Sequence, residues 1–178
     1  MSDLSGKKVA IIATDHFEES ELVEPRDALA KAGAEVKIYS NGTDPIQAVK
    51  GDTEQTQKVD VDGTFDDLDV SAVDAVVVPG GTVNADTIRT DEKAQAIVRG
   101  ITEAGKPLAV ICHGPWLLVS AGLARGRRLT SYRSIADDVR NAGGDWVDEQ
   151  VVLDGNLITS RNPGDLPAFV KALEDALS

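Results

Sequence analysis

Cysteine is almost missing from this sequence: Cys112 is the only one in 178 residues. A lone thiol forms no internal disulfide and no paired-cysteine zinc site, so packing must hold the fold and a reducing compartment is expected. Aromatic residues are scarce at 4%, which leaves the core to Val, Ile, Leu and Ala. Basic residues are outnumbered, 18 against 30 acidic, for a formal net charge of -12. Like charges repel, so this balance argues against nucleic acid and anionic lipid as partners. Long apolar runs are absent too. The first, Val9 to Ala13 behind Lys7-Lys8, is too short for a signal-peptide core or a membrane span, and a cytoplasmic protein is expected.

What is present is alternation. Short apolar runs trade places with helical patterns along the chain, the signature of a largely parallel sheet covered by helices. Strands are expected at Val9–Ala13, Glu35–Ser40, Ala75–Val78 and Leu108–Ile111, and helices at Glu21–Ala32, Asp91–Ala104 and Gly114–Ala121. The polar stretch from Gln47 to Asp62 alternates like a small β-hairpin. Towards the end, Ile135–Asn141 reads as a helix, Val151–Leu153 and Leu157–Thr159 flank a hairpin signal at Asp154-Gly155, and Asp165–Leu177 is an amphipathic helix. The economical expectation is one doubly wound α/β domain over residues 1–178.

The informative segment runs Ala109-Val-Ile-Cys112-His113-Gly-Pro115-Trp. An apolar strand enters Cys112, and Pro115 suits the first position of a helix. Cys112 is therefore expected at a strand-to-helix elbow, on the sheet edge where open α/β folds bind ligands. A helix N-terminus favours thiolate over thiol, and His113 is at hand as a base. Free cysteine is also a common packing residue, so position alone leaves a buried, inert thiol open. Pro79-Gly80-Gly81 ends the preceding strand, where glycines let backbone N–H groups approach a substrate oxygen.

The loop after the first strand reads Thr14-Asp-His16-Phe-Glu18-Glu-Ser-Glu21. With a helix beginning near Phe17, Glu18 and Glu21 share a face. If this turn lies beside Cys112, a carboxyl and a thiolate meet in a partly dry pocket, and one of the two should hold the proton. The same loop has no glycine and several carboxylates, which argues against a dinucleotide site. No metal or organic cofactor is implied: His16 with Asp15 and Glu18 imitates a metal site, but a histidine among surface acids is more often solvated. Arg125 to Arg128 reads as a solvated loop, and Trp116 and Trp146 as packing residues.

Phe17-Glu-Glu-x-Glu21-Leu, Val77-Val-Pro-Gly-Gly81 and Ala109-Val-Ile-Cys-His-Gly-Pro115 resemble the PfpI-type intracellular protease family. That group lies within the superfamily of the parkinsonism-associated deglycase and the class I glutamine amidotransferase-like folds. The resemblance continues through Leu123–Arg127, Thr130–Tyr132, Trp146–Asp148 and Val151–Asn156. It implies a flavodoxin-like sandwich that forms a homodimer or larger homo-oligomer. It implies Cys112 as nucleophile, Glu21 as the acid bonded to the sulfur, and Glu18 as a second acid. Gly81 and His113 match backbone oxyanion donors, and Tyr132 a pocket tyrosine. Asp86, in the loop after Gly81, is the nearest match to an acid that a neighbouring subunit lends to His113.

The activities the resemblance implies share one opening step, attack of a thiolate on a carbonyl. The leading expectation is a stress-response glyoxalase or deglycase taking small aldehydes, ketoaldehydes or glycated proteins. An intracellular cysteine peptidase is the enzymatic alternative. A redox sensor or holdase using an exposed, oxidisable Cys112 is the alternative of another class.

Overall fold

The structure, a computed structural model, describes residues 2–178. Its strands are β1 (Lys8–Ile12), β2 (Phe17–Glu18), β3 (Glu35–Ser40), β4 (Ile46–Lys50), β5 (Glu54–Val59), β6 (Gly63–Thr64), β7 (Ala75–Val78), β8 (Leu108–Ile111), β9 (Arg128–Leu129), β10 (Asp145–Trp146), β11 (Val151–Asp154) and β12 (Leu157–Ser160). Its α-helices are α1 (Glu19–Lys31), α2 (Thr82–Ile88), α3 (Glu92–Glu103), α4 (Pro115–Ser120), α5 (Ala136–Asn141) and α6 (Leu166–Leu177). The main sheet runs β11-β12-β8-β7-β1-β3-β6. Every pairing in it is parallel except the β11–β12 hairpin at one edge. The central order β3-β1-β7-β8-β12 is the flavodoxin-like order.

The unbroken apolar runs of β1, β7 and β8 follow from burial on both faces. Val9 and Ile11 of β1 join Leu22 and Leu29 of α1 and Phe169 and Leu173 of α6 in one core. Ala10 and Ile12 point the other way, into a second core with Val98 and Ile101 of α3 and Leu117 and Leu118 of α4. The period of two along each strand thus feeds two apolar layers, one on each side of the sheet. Their C-terminal ends converge on one edge, which carries the acidic loop, Pro79-Gly80-Gly81 and Cys112. Among the described residues, no helix is long and apolar enough to cross a membrane.

Four local expectations are corrected. Helix α1 starts at Glu19 rather than near Phe17. Phe17 and Glu18 are instead extended and pair with Ala48 and Val49 of β4, because the buried Phe17 ring and a left-handed His16 (φ +64°) set the backbone before the helix begins. Glu18 and Glu21 therefore share no helical face. The second hairpin turns at Gly155-Asn156, one residue later than expected, since Asp154 already pairs with Leu157. The stretch from Gly81 to Asp86 is not a loop but the start of α2. Strands β1 and β8 are not neighbours, because β7 lies between them. The expected polar hairpin forms as β4–β5 and, with β2, makes a separate three-stranded sheet.

Candidate active site

Strand β8 ends at Ile111 and α4 opens at Pro115, so Cys112 falls in the turn between them. Its φ is +64°, a left-handed conformation that costs a residue with a β-carbon about 1–2 kcal/mol. Two backbone bonds hold it there. Cys112 N–H donates to Ser160 O (3.1 Å), and Tyr132 N–H donates to Cys112 O (2.7 Å). The side chain projects to the floor of a cavity of about 270 Å³ lined by Glu18, Glu21, Asp52, Gly81, His113 and Tyr132 among others. Only 7% of Cys112 is exposed. The sulfur is reached through the pocket, which corrects the expectation of an exposed thiol.

The expected meeting of acid and sulfur takes place across the intervening strand. Glu21 is fully buried in the first turn of α1. Its Oε1 accepts the Gly80 N–H at 2.9 Å. The Cys112 thiol lies beside the carboxyl, and the buried Oε2 makes no hydrogen bond within the protein. Gly80 is the window that permits this. A β-carbon there would lie 2.6 Å from Glu21 Oε1 and 2.7 Å from Cys112 Cβ.

Burial dominates the electrostatics. It pushes Glu21 up to about 8, helped by the charges of Glu18 and Asp52 and opposed by the Gly80 N–H. The acid is therefore protonated at neutral pH and available as a donor. Burial also raises the Cys112 thiol, Glu21 raises it further, and the His113 and Gly81 N–H groups pull it back. Burial thus works against ionisation of the sulfur by the helix end, and α4, with only six residues, offers a short dipole to oppose it. Glu21 and Cys112 share at most one negative charge and titrate as a pair.

His113, the expected base, turns its ring toward the sulfur although the two residues are adjacent. Its Nδ1 lies 3.4 Å from Cys112 Sγ. Burial holds the ring below the ordinary imidazole range, partly offset by the Asp52 carboxylate, so His113 is neutral at pH 7. Tyr132 stacks on the ring at 4.7 Å and Trp116 stands edge-on at 5.4 Å. On the far side, Nε2 meets Thr82 Oγ1 at 3.4 Å and Ser134 Oγ at 3.3 Å.

The structure thus gathers Cys112, His113, Glu21, Glu18, Gly81 and Tyr132 around one cavity. Both oxygens of Glu18 accept the Gly51 N–H at 3.1 Å, which latches the β4–β5 hairpin over the pocket. Asp86 is exposed on α2 and outside the pocket of its own chain. His16 contributes backbone: its N–H donates to Gln47 O (2.7 Å), and its carbonyl packs against Gly81, with no room for a β-carbon. Among the described residues, no three of His, Cys, Asp or Glu gather as an ion would need. Arg127 is no solvated loop residue, since its guanidinium bonds Asp154 at the β11 end. Sequence reasoning missed Asp52, Thr82 and Ser134, read Gly80 only as part of a turn approaching a substrate oxygen, and took Trp116 for packing alone. Gly51-Asp52 is a turn signal, but nothing local says where the turn points.

With this geometry in place, comparison with known proteins is informative. The model of the DJ-1/PfpI family matches residues 7–176. A protein named Deglycase TK1284, from Thermococcus kodakarensis, is 44% identical over 164 residues, 92% of this chain and 95% of its own length. Protein/nucleic acid deglycase 2 of Escherichia coli is 41% identical over 165 residues, 92% of this chain and 93% of its length. Among solved structures, Drosophila melanogaster DJ-1beta superposes with a TM-score of 0.86 at 30% identity, covering 99% of this chain and 91% of that one. A family match over nearly the whole length, with relatives above 40% identity, leaves one conclusion: the chain belongs to the DJ-1/PfpI family.

Proposed function

We propose that the chain is a cofactor-independent cysteine enzyme that removes small reactive carbonyls, in the manner of a glyoxalase or deglycase. The observation that carries the reading is the Cys112 Sγ to His113 Nδ1 distance of 3.4 Å inside a cavity of about 270 Å³. A neutral imidazole, not a standing thiolate, is the starting point. His113 takes the thiol proton as Sγ bonds to the aldehyde carbon, and the carbonyl π pair moves onto oxygen. The N–H groups of Gly81 and His113, which already face the sulfur, stabilise that oxyanion. Protonated Glu21 donates to the sulfur and keeps a second charge out of the pocket.

With a 2-ketoaldehyde the adduct is a hemithioacetal. Moving its C1 hydrogen as a proton to C2 oxidises C1 and reduces C2, giving the thioester of a 2-hydroxy acid. Water then cleaves the thioester and returns the thiol. Glu18 and His113 are the acid–base groups within the pocket for that transfer. An acidic cavity favours an uncharged aldehyde over an anionic substrate. The relatives' names extend the reading to sugar-derived adducts on protein or, as in the Escherichia coli enzyme's name, nucleic acid. The net charge of -12 weighs against a tight grip on nucleic acid.

Cys112→Ala and Cys112→Ser should abolish methylglyoxal consumption with the fold intact by circular dichroism. Unchanged turnover sinks the proposal. Sulfur-dependent cleavage of peptides by an assembled oligomer, without aldehyde turnover, would replace it with the peptidase reading.

A further inference from the structure

His113 serves as a base only if the ring nitrogen facing the sulfur carries the lone pair. A neutral imidazole has two tautomers, and the bond made by the other nitrogen selects one. That bond is visible here. Thr82, the first residue of α2, places Oγ1 2.7 Å from Asp52 Oδ2 and 3.4 Å from His113 Nε2. Its backbone N–H donates to Asp52 Oδ1 at 2.8 Å. A carboxylate only accepts, so the Thr82 hydroxyl hydrogen is committed to Asp52. What Oγ1 has left to offer Nε2 is a lone pair, and that requires a hydrogen on Nε2. The free lone pair of His113 then sits on Nδ1, 3.4 Å from Cys112 Sγ. Ser134 Oγ, 3.3 Å from Nε2, can donate or accept and so does not oppose the choice.

We infer that Asp52 and Thr82 are positioning residues that select the Nε2–H tautomer of His113, doing within one chain what an acid placed directly on the ring would do. The inference rests on the reading of His113 as the base. The hairpin geometry supports it independently. Gly51 and Asp52 both have left-handed backbone, φ +62° and +66°, which folds the tip tightly and turns Asp52 back toward the sheet edge. Five of the six β5 residues are exposed, and the hairpin's buried apolar side chains, Ile46, Ala48 and Val49 of β4 and Val59 of β5, stop short of the tip. Its tip is latched by polar bonds instead, Gly51 to Glu18 and Asp52 to Thr82.

The test labels the two histidines with ¹⁵N, assigns them with His16→Gln, and reads the His113 tautomer by NMR. Beside it stands the rate of Cys112 alkylation by iodoacetamide at pH 7. Neither readout uses an aldehyde, so a failure of the carbonyl proposal and a failure of this one are told apart. Wild type and Thr82→Ser should show hydrogen on Nε2. Asp52→Asn offers an amide donor, frees the Thr82 hydroxyl to donate to Nε2, and should shift the hydrogen to Nδ1. Thr82→Val should lose the preference. In both, alkylation should fall roughly 10- to 100-fold, with Thr82→Ser restoring it. Wild-type tautomer and alkylation within twofold in Asp52→Asn would overturn the inference, as would a Thr82→Ser variant that behaves like Thr82→Val. If Thr82→Val fails to fold, Asp52→Asn and Thr82→Ser decide between the two outcomes.

Discussion

Two turns meet at the pocket, and they are built on opposite principles. The elbow between β8 and α4 grows out of buried strands, and its neighbours at Gly80 and Gly81 leave no space for a methyl group. The tip between β4 and β5 is exposed, leads from a buried strand into a polar one, and leaves open space beside Gly51. Yet each presents a non-glycine residue with left-handed backbone, Cys112 from the elbow and Asp52 from the tip. The elbow is over-determined by packing, so its strain persists because nothing can relax. The tip is held by a few directional bonds. On the proposed reading, the reacting sulfur sits on the rigid side, and Asp52, which tunes it through Thr82 and His113, sits on the adjustable side.

The sharpest way to break this contrast is to add one methyl to each turn. Gly81→Ala forces a β-carbon against the His16 carbonyl and within 2.7 Å of Glu18 N and 2.9 Å of Phe17 Cα, at φ +88°. It should cost about 3 kcal/mol or more by chemical denaturation, since backbone cannot step aside. Gly51→Ala has the same left-handed backbone and no atom within 4 Å of the new carbon, so about 1 kcal/mol is expected. Equal costs would refute the distinction.

A second effect separates the buried acid from ordinary carboxylates. Glu21 ionises near 8 in the folded chain against an ordinary 4.5. The unfolded chain therefore binds fewer protons across that window, and stability falls as pH rises, by about 1.4 kcal/mol per pH unit. The contribution is complete below 4.5 and lost once pH passes 8. Glu21→Gln should flatten the slope in urea titrations between pH 5 and 8, and be the more stable protein at pH 9. A slope unaltered by the substitution would contradict the assignment. The smallest effect belongs to Glu18. Glu18→Gln removes a charge that raises Glu21, so the midpoint of that slope should move to lower pH, with stability at pH 5 changed by less than about 0.5 kcal/mol.

The same division explains what could be read in advance. β1, β7 and β8 announce themselves because burial on both faces demands unbroken Val, Ile and Ala. The elbow follows from a strand entering Cys-His-Gly-Pro, with Pro115 marking the helix. The meeting of Glu21 with Cys112 was foreseeable as chemistry, but its route was not, because it passes Gly80 in the turn after a third strand. β2 escaped because two extended residues carry no periodicity, and their conformation is dictated by β4. Asp52 escaped for a deeper reason. It reaches Thr82 across 30 residues of chain, through a turn whose composition reports its shape and not its direction. The burial that raises the thiol was out of reach too, because a sequence displays the helix end and hides the depth beneath it.

The three-stranded sheet that carries the tip has a consequence for heating. Its tip and most of β5 face solvent, and such segments with few apolar contacts open at lower free energy than the layers beneath them. On warming, the tip and the exposed length of β5 should loosen while β1, β7, β8 and the buried face of β4 remain closed, parting Asp52 from Thr82 before the globule melts. The protein would then fall silent some degrees below its calorimetric transition and regain full strength on cooling, a reversible thermal cut-off set by its least apolar segment.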